Sequence, residues 1–131
     1  MGNSPITKIS YEDVNKIINN PSYILINTLP PNLQHCLITN TVNIQNEEQI
    51  VNENINNKYI NIVVYGMNCC DESLNTKCTQ LINLGFKNIF VYVGGIFEWL
   101  LMQDIYGNDM FSTTEIELDI LKYKPKNKIM I

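Results

Sequence analysis

The sequence predicts a single α/β domain with a mostly parallel sheet, and three observations carry that expectation. Short apolar runs without polar alternation occur at residues 23–26, 59–65 and 89–93, the pattern of strands covered on both faces. Segments with helical spacing of apolar residues lie between them. The connections are short, which implies βαβ units with right-handed crossovers. At 131 residues, 45% hydrophobic and 17% charged, the chain suits one independently folding core and falls outside the disordered range.

The elements follow in order. Ser10 before Tyr11, Glu12 and Asp13 reads as an N-cap with acidic residues in the first turn. Val14, Ile17 and Ile18 supply the apolar face of this helix, and Asn20-Pro21 stops it. A strand at 23–26 is bounded by Pro30-Pro31. Val42, Asn43 and Ile44 form a shorter strand candidate. Residues 47–55 are weakly helical, with Ile50, Val51 and Ile55 as a modest stripe. Residues 59–65 (YINIVVY) are the strongest strand, rich in β-branched and aromatic side chains. They run directly into Gly66 and a polar stretch. Leu74, Cys78, Leu81 and Ile82 then have helical spacing, with Gly85 as the stop. A strand at 89–93 leads through Gly94-Gly95 into a helix at 96–102, and residues 103–109 end that helix and turn. Thr113 or Thr114 caps a predicted helix at 115–121, where Ile116, Ile120 and Tyr123 make one apolar stripe and Leu118 and Leu121 a second pair. This helix is expected to pack on its own domain; the other reading is a face for a protein partner. The apolar end, Ile129-Met130-Ile131, favours docking.

Charge and composition exclude several classes. The net charge is −4, and every one of the nine basic residues is a lysine. No nucleic-acid surface is expected, because phosphate neutralisation needs clustered cations. The first ten residues contain no apolar core of a secretory signal. They approach a myristoylation signal but have Ile6 where it needs Ser or Thr. The longest apolar run, 96–102, contains Glu98 and is too short to span a bilayer. Cys36, Cys69, Cys70 and Cys78 lack a secreted framework. The expected location is therefore the reducing cytoplasm. Asn and Ile make up roughly a third of the chain, a composition that AT-rich codons explain. The Asn residues alternate with apolar ones, unlike a low-complexity tract. Lys122, Lys124, Lys126 and Lys128 form a basic end on an acidic body and are read as solvated, with docking on an acidic partner as the other reading.

Six segments in order resemble one family. Ile9-Ser10-Tyr11-Glu12 opens a domain, and Tyr23-Ile24-Leu25-Ile26-Asn27 is similar to a strand usually ending Leu-Ile-Asp. Residues 37–44 are similar to His-Ile-Pro-Gly-Ala-x-Asn-Ile. Ile62-Val63-Val64-Tyr65 resembles the strand before an active-site loop. Leu84-Gly85-Phe86-Lys87-Asn88-Ile89 and Val93-Gly94-Gly95-Ile96-Phe97-Glu98-Trp99 match Leu-Gly-(aromatic)-x-x-Val and Gly-Gly-x-x-x-Trp. These are features of the rhodanese-like domain family. The resemblance implies a central, mostly parallel five-stranded sheet with helices on both faces. The core would span about residues 6–104, with a short C-terminal helical extension at 105–131.

Rhodanese-type sulfurtransferases form a persulfide on a cysteine at the first position of the loop after that strand. Backbone N–H groups at a helix N-terminus surround it, which favours anions and acidifies a thiol. Here Gly66 stands at the cysteine position. The strand-end Asp is Asn27, the Arg two residues later is Leu29, and the His of His-Ile-Pro-Gly is Leu37. Related phosphatases use Cys-x5-Arg, and this chain has no arginine. The candidate site is the loop Gly66, Met67, Asn68, Cys69, Cys70, Asp71, Glu72 and Ser73, about two residues longer than usual, with two carboxylates that repel anions.

Cys69 and Cys70 are the candidate catalytic residues if the longer loop carries a displaced nucleophile. The other reading makes one a small packed hydrophobe and the other exposed by chance. Cys78, on the apolar face of its helix, and the aromatics Tyr92 and Trp99 are read as core. His35-Cys36 lacks a CxxC partner, so no metal is expected, and no cofactor. The resulting expectation is a rhodanese-fold module without the sulfurtransferase nucleophile, serving binding or structure. The alternative is a sulfurtransferase or thiol-redox enzyme using Cys69 or Cys70, and a third reading is a component of a virion or larger complex.

Overall fold

The computed structural model describes residues 6–129. Gly2 of the myristoylation reading, and Met130 and Ile131 of the apolar end, lie outside the described residues. The element order is β1 (Ile6–Ile9), α1 (Tyr11–Ile17), β2 (Tyr23–Asn27), a 3-10 turn (Pro31–Leu33), α2 (Glu47–Glu53), β3 (Asn61–Tyr65), α3 (Ser73–Asn83), β4 (Asn88–Tyr92), α4 (Gly95–Tyr106) and a second 3-10 turn (Ile120–Tyr123). The sheet is parallel, in the order β1-β4-β3-β2. Its carboxyl ends align: Asn27 pairs with Tyr65, Tyr65 with Tyr92, and Tyr92 with Ile9. The loop after Tyr65 therefore leaves an interior strand among all the other strand ends.

Side chains alternate across the sheet. Leu25, Val63 and Tyr65 face Val14 of α1 and Ile96, Trp99 and Leu100 of α4. Ile26, Ile62, Val64, Ile89 and Val91 face Val51 of α2 and Leu74, Cys78 and Leu81 of α3. Continuous apolar strands are thus explained by helices on both faces. At the start of α1, the Asp13 N–H donates to Ser10 Oγ (3.4 Å) and the Ser10 N–H to Asp13 Oδ2 (3.1 Å), so the predicted N-cap is closed into a capping box by Asp13. An ion pair between Lys77 and Glu47 joins α3 to α2.

Two expectations are corrected. The sheet has four strands among the described residues, where the resemblance implied five. Val42, Asn43 and Ile44 do not form a strand. Beside them the chain makes one isolated bridge, Leu25 to Thr41, between a left-handed Asn40 (φ 69°) and a turn in which Asn43 Oδ1 accepts from the Gln45 N–H. Asn residues offer the backbone local partners that compete with a ladder. In its place β1 pairs at the edge, its middle residues Thr7 and Lys8 exposed, with the lysine guarding the edge.

The predicted helix at 115–121 is also absent. Its cap residues are engaged elsewhere: the Thr114 N–H donates to the Leu37 carbonyl (2.8 Å), the Leu37 N–H to Thr114 Oγ1 (3.0 Å), and Thr113 Oγ1 to the Glu115 carbonyl (2.7 Å). A helix of seven residues is too short to outcompete such contacts. After an isolated antiparallel bridge between Thr113 and Ile38, the segment is irregular and closes in the 3-10 turn whose Tyr123 is fully buried. Ile116, Leu118 and Leu121 are exposed. Phe111 and Tyr123 nonetheless join the same core cluster as Trp99. Among the described residues, no helix is long and apolar enough to cross a membrane.

Candidate functional site

β3 ends at Tyr65, whose buried hydroxyl accepts from the Ile38 N–H (3.1 Å) and bonds Thr41 Oγ1 (2.7 Å). Burial pushes this phenol well above its ordinary range. Gly66 follows. A Cβ added there would lie 2.5 Å from Asp71 Oδ2 and 2.9 Å from Thr28 Oγ1. The space in which a nucleophile's side chain would stand is occupied by the Asp71 carboxylate.

That carboxylate is held by the loop itself. Asp71 Oδ2 accepts from the Met67 N–H (2.9 Å), and Oδ1 from the Ser73 N–H (3.0 Å). Thr28 Oγ1 approaches Oδ2 at 3.5 Å. Other loop amides are also committed: Cys70 to Asn68 Oδ1 (2.9 Å), Asp71 to the Asn68 carbonyl (3.2 Å) and Leu74 to the Asp71 carbonyl (3.3 Å). The amides at the start of α3 are directed to an internal anion and to the loop's own oxygens. An incoming anion would meet a fixed negative charge there, with no arginine to offset it.

The loop is also tied down from outside. The Ile96 and Phe97 N–H groups of α4 donate to the Gly66 and Met67 carbonyls (3.0 and 2.9 Å). Gly95, at φ 68°, lets the two backbones touch: a Cβ there would lie 2.6 Å from Gly66 O. The buried Asn68 donates through Nδ2 to the Tyr123 carbonyl (2.8 Å), so the C-terminal segment anchors the same loop. Nearby, Tyr92 Oη donates to Glu98 Oε1 (2.7 Å), and burial raises the Tyr92 phenol.

Cys69 and Cys70 are both exposed, with Sγ atoms 3.8 Å apart. The Cys69 thiol is raised above its ordinary value, first by its contact with Cys70, then by desolvation, with Glu98 adding to the effect. A persulfide-forming nucleophile needs the opposite shift. The Met67, Cys70, Asp71 and Ser73 amides donate to oxygens of Asn68 and Asp71.

The other residues singled out in the sequence are placed as follows. Asn27 is buried and pairs its amide with Gln34 (Nε2 to Oδ1, 2.8 Å) while accepting from the Leu29 N–H (3.0 Å). It holds the turn after β2. Leu29 and Leu37 are buried. His35 bonds Glu117 through Nε2 (2.8 Å), whereas Cys36 Sγ is buried and donates to the Glu115 carbonyl (3.2 Å). Adjacent in sequence, they part in space. Cys78, Tyr92 and Trp99 are core, as read. Among the described residues, no group of three or more His, Cys, Asp or Glu side chains could hold a metal. Two features were missed: that Asp71 turns inward, and that the terminal lysines stand opposite the loop across a cleft. The first was signalled only by a carboxylate close in sequence to a missing side chain, and the second has no local signal.

A family model described as the rhodanese-like domain matches residues 10–102. No curated protein matches the chain. Among solved structures, the Saccharomyces cerevisiae protein Ygr203w, described as a protein tyrosine phosphatase of the rhodanese family, aligns with a TM-score of 0.66 at 12% identity. That alignment covers 91% of this chain and 99% of that one. The Bacillus halodurans BH2092 protein aligns at 0.60 and 15% identity, over 74% of this chain and 73% of that one. The rhodanese-like domain of Anabaena Alr3790 aligns at 0.55 and 16% identity, over 98% and 90%. At such identities the likeness is one of fold.

Proposed function

We propose that this chain, which belongs to the rhodanese-like domain family, acts as a binding or structural module and not as a sulfurtransferase. The observation that carries this reading is the Asp71 carboxylate lying 2.5 Å from where a Gly66 side chain would begin, with the Met67 and Ser73 amides donating to it. The loop keeps its anion-holding form and fills it with its own anion. A phosphatase of the Cys-x5-Arg kind is unsupported as well, because the chain has no arginine. The exposed Ile116, Leu118 and Leu121 of the C-terminal segment offer a protein partner its contact surface, within a larger complex.

The test is a thiosulfate-to-cyanide assay combined with cold cyanolysis of protein-bound sulfur. The expected result is no turnover above buffer and no cyanide-labile sulfur. Appreciable turnover that Cys69→Ser or Cys70→Ser abolishes would overturn the reading and establish the displaced-cysteine enzyme.

A further inference from the structure

The loop that turns Asp71 inward presents two thiols outward. Cys70 lines a cleft of about 650 Å³ whose opposite wall is the C-terminal segment with Lys122, Lys124, Lys126 and Lys128. Four of the nine lysines of a protein with net charge −4 therefore line the same cleft as this thiol. Lys122 is held by Glu117, while Lys124, Lys126 and Lys128 form no ion pair among the described residues. On the loop side, Asp71 spends its carboxylate on the loop amides, and Glu72 is exposed. The cations outnumber the carboxylates of the cleft, and the nucleophilic atom beside them is sulfur. Such a cleft fits a small sulfur compound carrying carboxylates.

We propose that this cleft is a thiol–disulfide exchange site for an anionic low-molecular-weight disulfide, with Cys70 attacking and Cys69 resolving. The Cys70 thiolate attacks one sulfur of the bound disulfide RSSR. A Cys70–S–SR bond forms, the RS–SR bond breaks, and one RS⁻ leaves and takes up a proton. Cys69, 3.8 Å away, gives its proton to water and attacks the Cys70 sulfur, expelling the second RS⁻. Two protein thiols are oxidised by two electrons, and RSSR is reduced to two RSH.

The order of attack follows from position: Cys70 lines the lysine cleft and Cys69 does not. The Cys69 thiol is held up mainly by its contact with Cys70, and that contact is lost once Cys70 carries the mixed disulfide. Adjacent Cα atoms lie about 3.8 Å apart, below the roughly 4.4–6.8 Å of ordinary disulfides. The vicinal bond is therefore strained and readily reversed by excess thiol. This exchange uses neither the Gly66 position nor the Asp71-filled amides, so it stands or falls separately from the loss of sulfur transfer.

The test uses the reduced full chain with glutathione disulfide as the charged probe and bis(2-hydroxyethyl) disulfide as the neutral one, read by intact mass and peptide mapping. The wild type is expected to lose two hydrogens. Cys69→Ser should retain one glutathionyl group, mapped to Cys70, and Cys70→Ser should react far more slowly. Replacing Lys124, Lys126 and Lys128 together by Gln should slow the charged probe roughly tenfold, as loss of electrostatic steering does, and leave the neutral probe unchanged. An unchanged rate with glutathione disulfide in the lysine variant overturns the proposal. So does equal slowing of both probes, or wild-type reactivity of Cys70→Ser through Cys69.

Discussion

Gly66 and Asp71 illustrate how one residue's meaning depends on another four or five positions away. A glycine at a nucleophile's position removes the reacting atom and also leaves a hole beside a row of backbone donors. Backbone N–H groups turned into the loop need an acceptor, and Asp71 supplies it at 2.9 and 3.0 Å. A second residue-scale device lies at Glu117, which accepts from Lys122, from His35 and from the Asp119 N–H. These partners, Lys122 first, lower its carboxyl from 4.5 to about 2. A depressed carboxylate contributes stability that is complete above its unfolded value and is lost as pH falls through the folded one. Urea midpoints of the wild type should therefore exceed those of Glu117→Gln near pH ~6, and the gap should close by about pH 2. A gap that persists unchanged into acid would show that the Glu117 contacts contribute nothing electrostatic.

At the scale of elements, the decisive join is between the loop after β3 and the start of α4. Two amides of α4 donate to loop carbonyls, and the backbones can approach only because Gly95 has no Cβ. An alanine there would place a methyl 2.6 Å from Gly66 O and 2.9 Å from the Met67 carbonyl carbon, at φ 68°. Gly107 also has positive φ, at 100°, but opens onto free space. Gly95→Ala is thus expected to cost roughly 2 kcal/mol or more, and Gly107→Ala only about 1 kcal/mol for its backbone conformation. Chemical denaturation of the two variants distinguishes steric clash from φ strain alone, and equal costs would rule out the clash. The absent helix at 115–121 is an element-scale lesson as well. Its apolar spacing was sound, but Leu37 and Thr114 satisfy each other's backbone and side chain, so pairing with a distant segment replaced local helical bonds.

For the whole molecule, the C-terminal segment is part of the core and not an appendage. Trp99 meets Phe111 edge-on at 5.1 Å and Tyr92 at 6.2 Å between ring centroids, and its Nε1–H donates to the Ser112 carbonyl (3.0 Å). Tyr123 is fully buried and its carbonyl anchors Asn68 of the candidate loop. Phe111→Ala is expected to lose about 3–5 kcal/mol. Because one core is shared, fluorescence of the single tryptophan and far-UV circular dichroism should shift together in one transition. Two separate transitions would mean that the segment after α4 folds as its own unit.

Much of this was readable from the chain alone. The parallel α/β class, the N-cap at Ser10, the strands at 23–27, 61–65 and 88–92, the glycine at position 66 and the absence of arginine all follow from local pattern and composition. Tyr59, read as the start of the second of these strands, is exposed outside it. Local pattern reports which face is apolar and which side chain is missing, because those depend on neighbours within a few residues. It does not report long-range partners. Pairing across the sheet made Ile6–Ile9 the edge strand and left Val42 to a single bridge region. Contacts over 70 residues away unwound the expected terminal helix. At the loop itself, the sequence already showed an absent cysteine beside two carboxylates and two thiols. Only the folded backbone decided that Asp71 turns into the vacant space, that Cys69 and Cys70 face out, and that the terminal lysines stand across the cleft. Those placements depend on where α4 and the C-terminal chain cross the loop, and no local run of residues encodes that crossing.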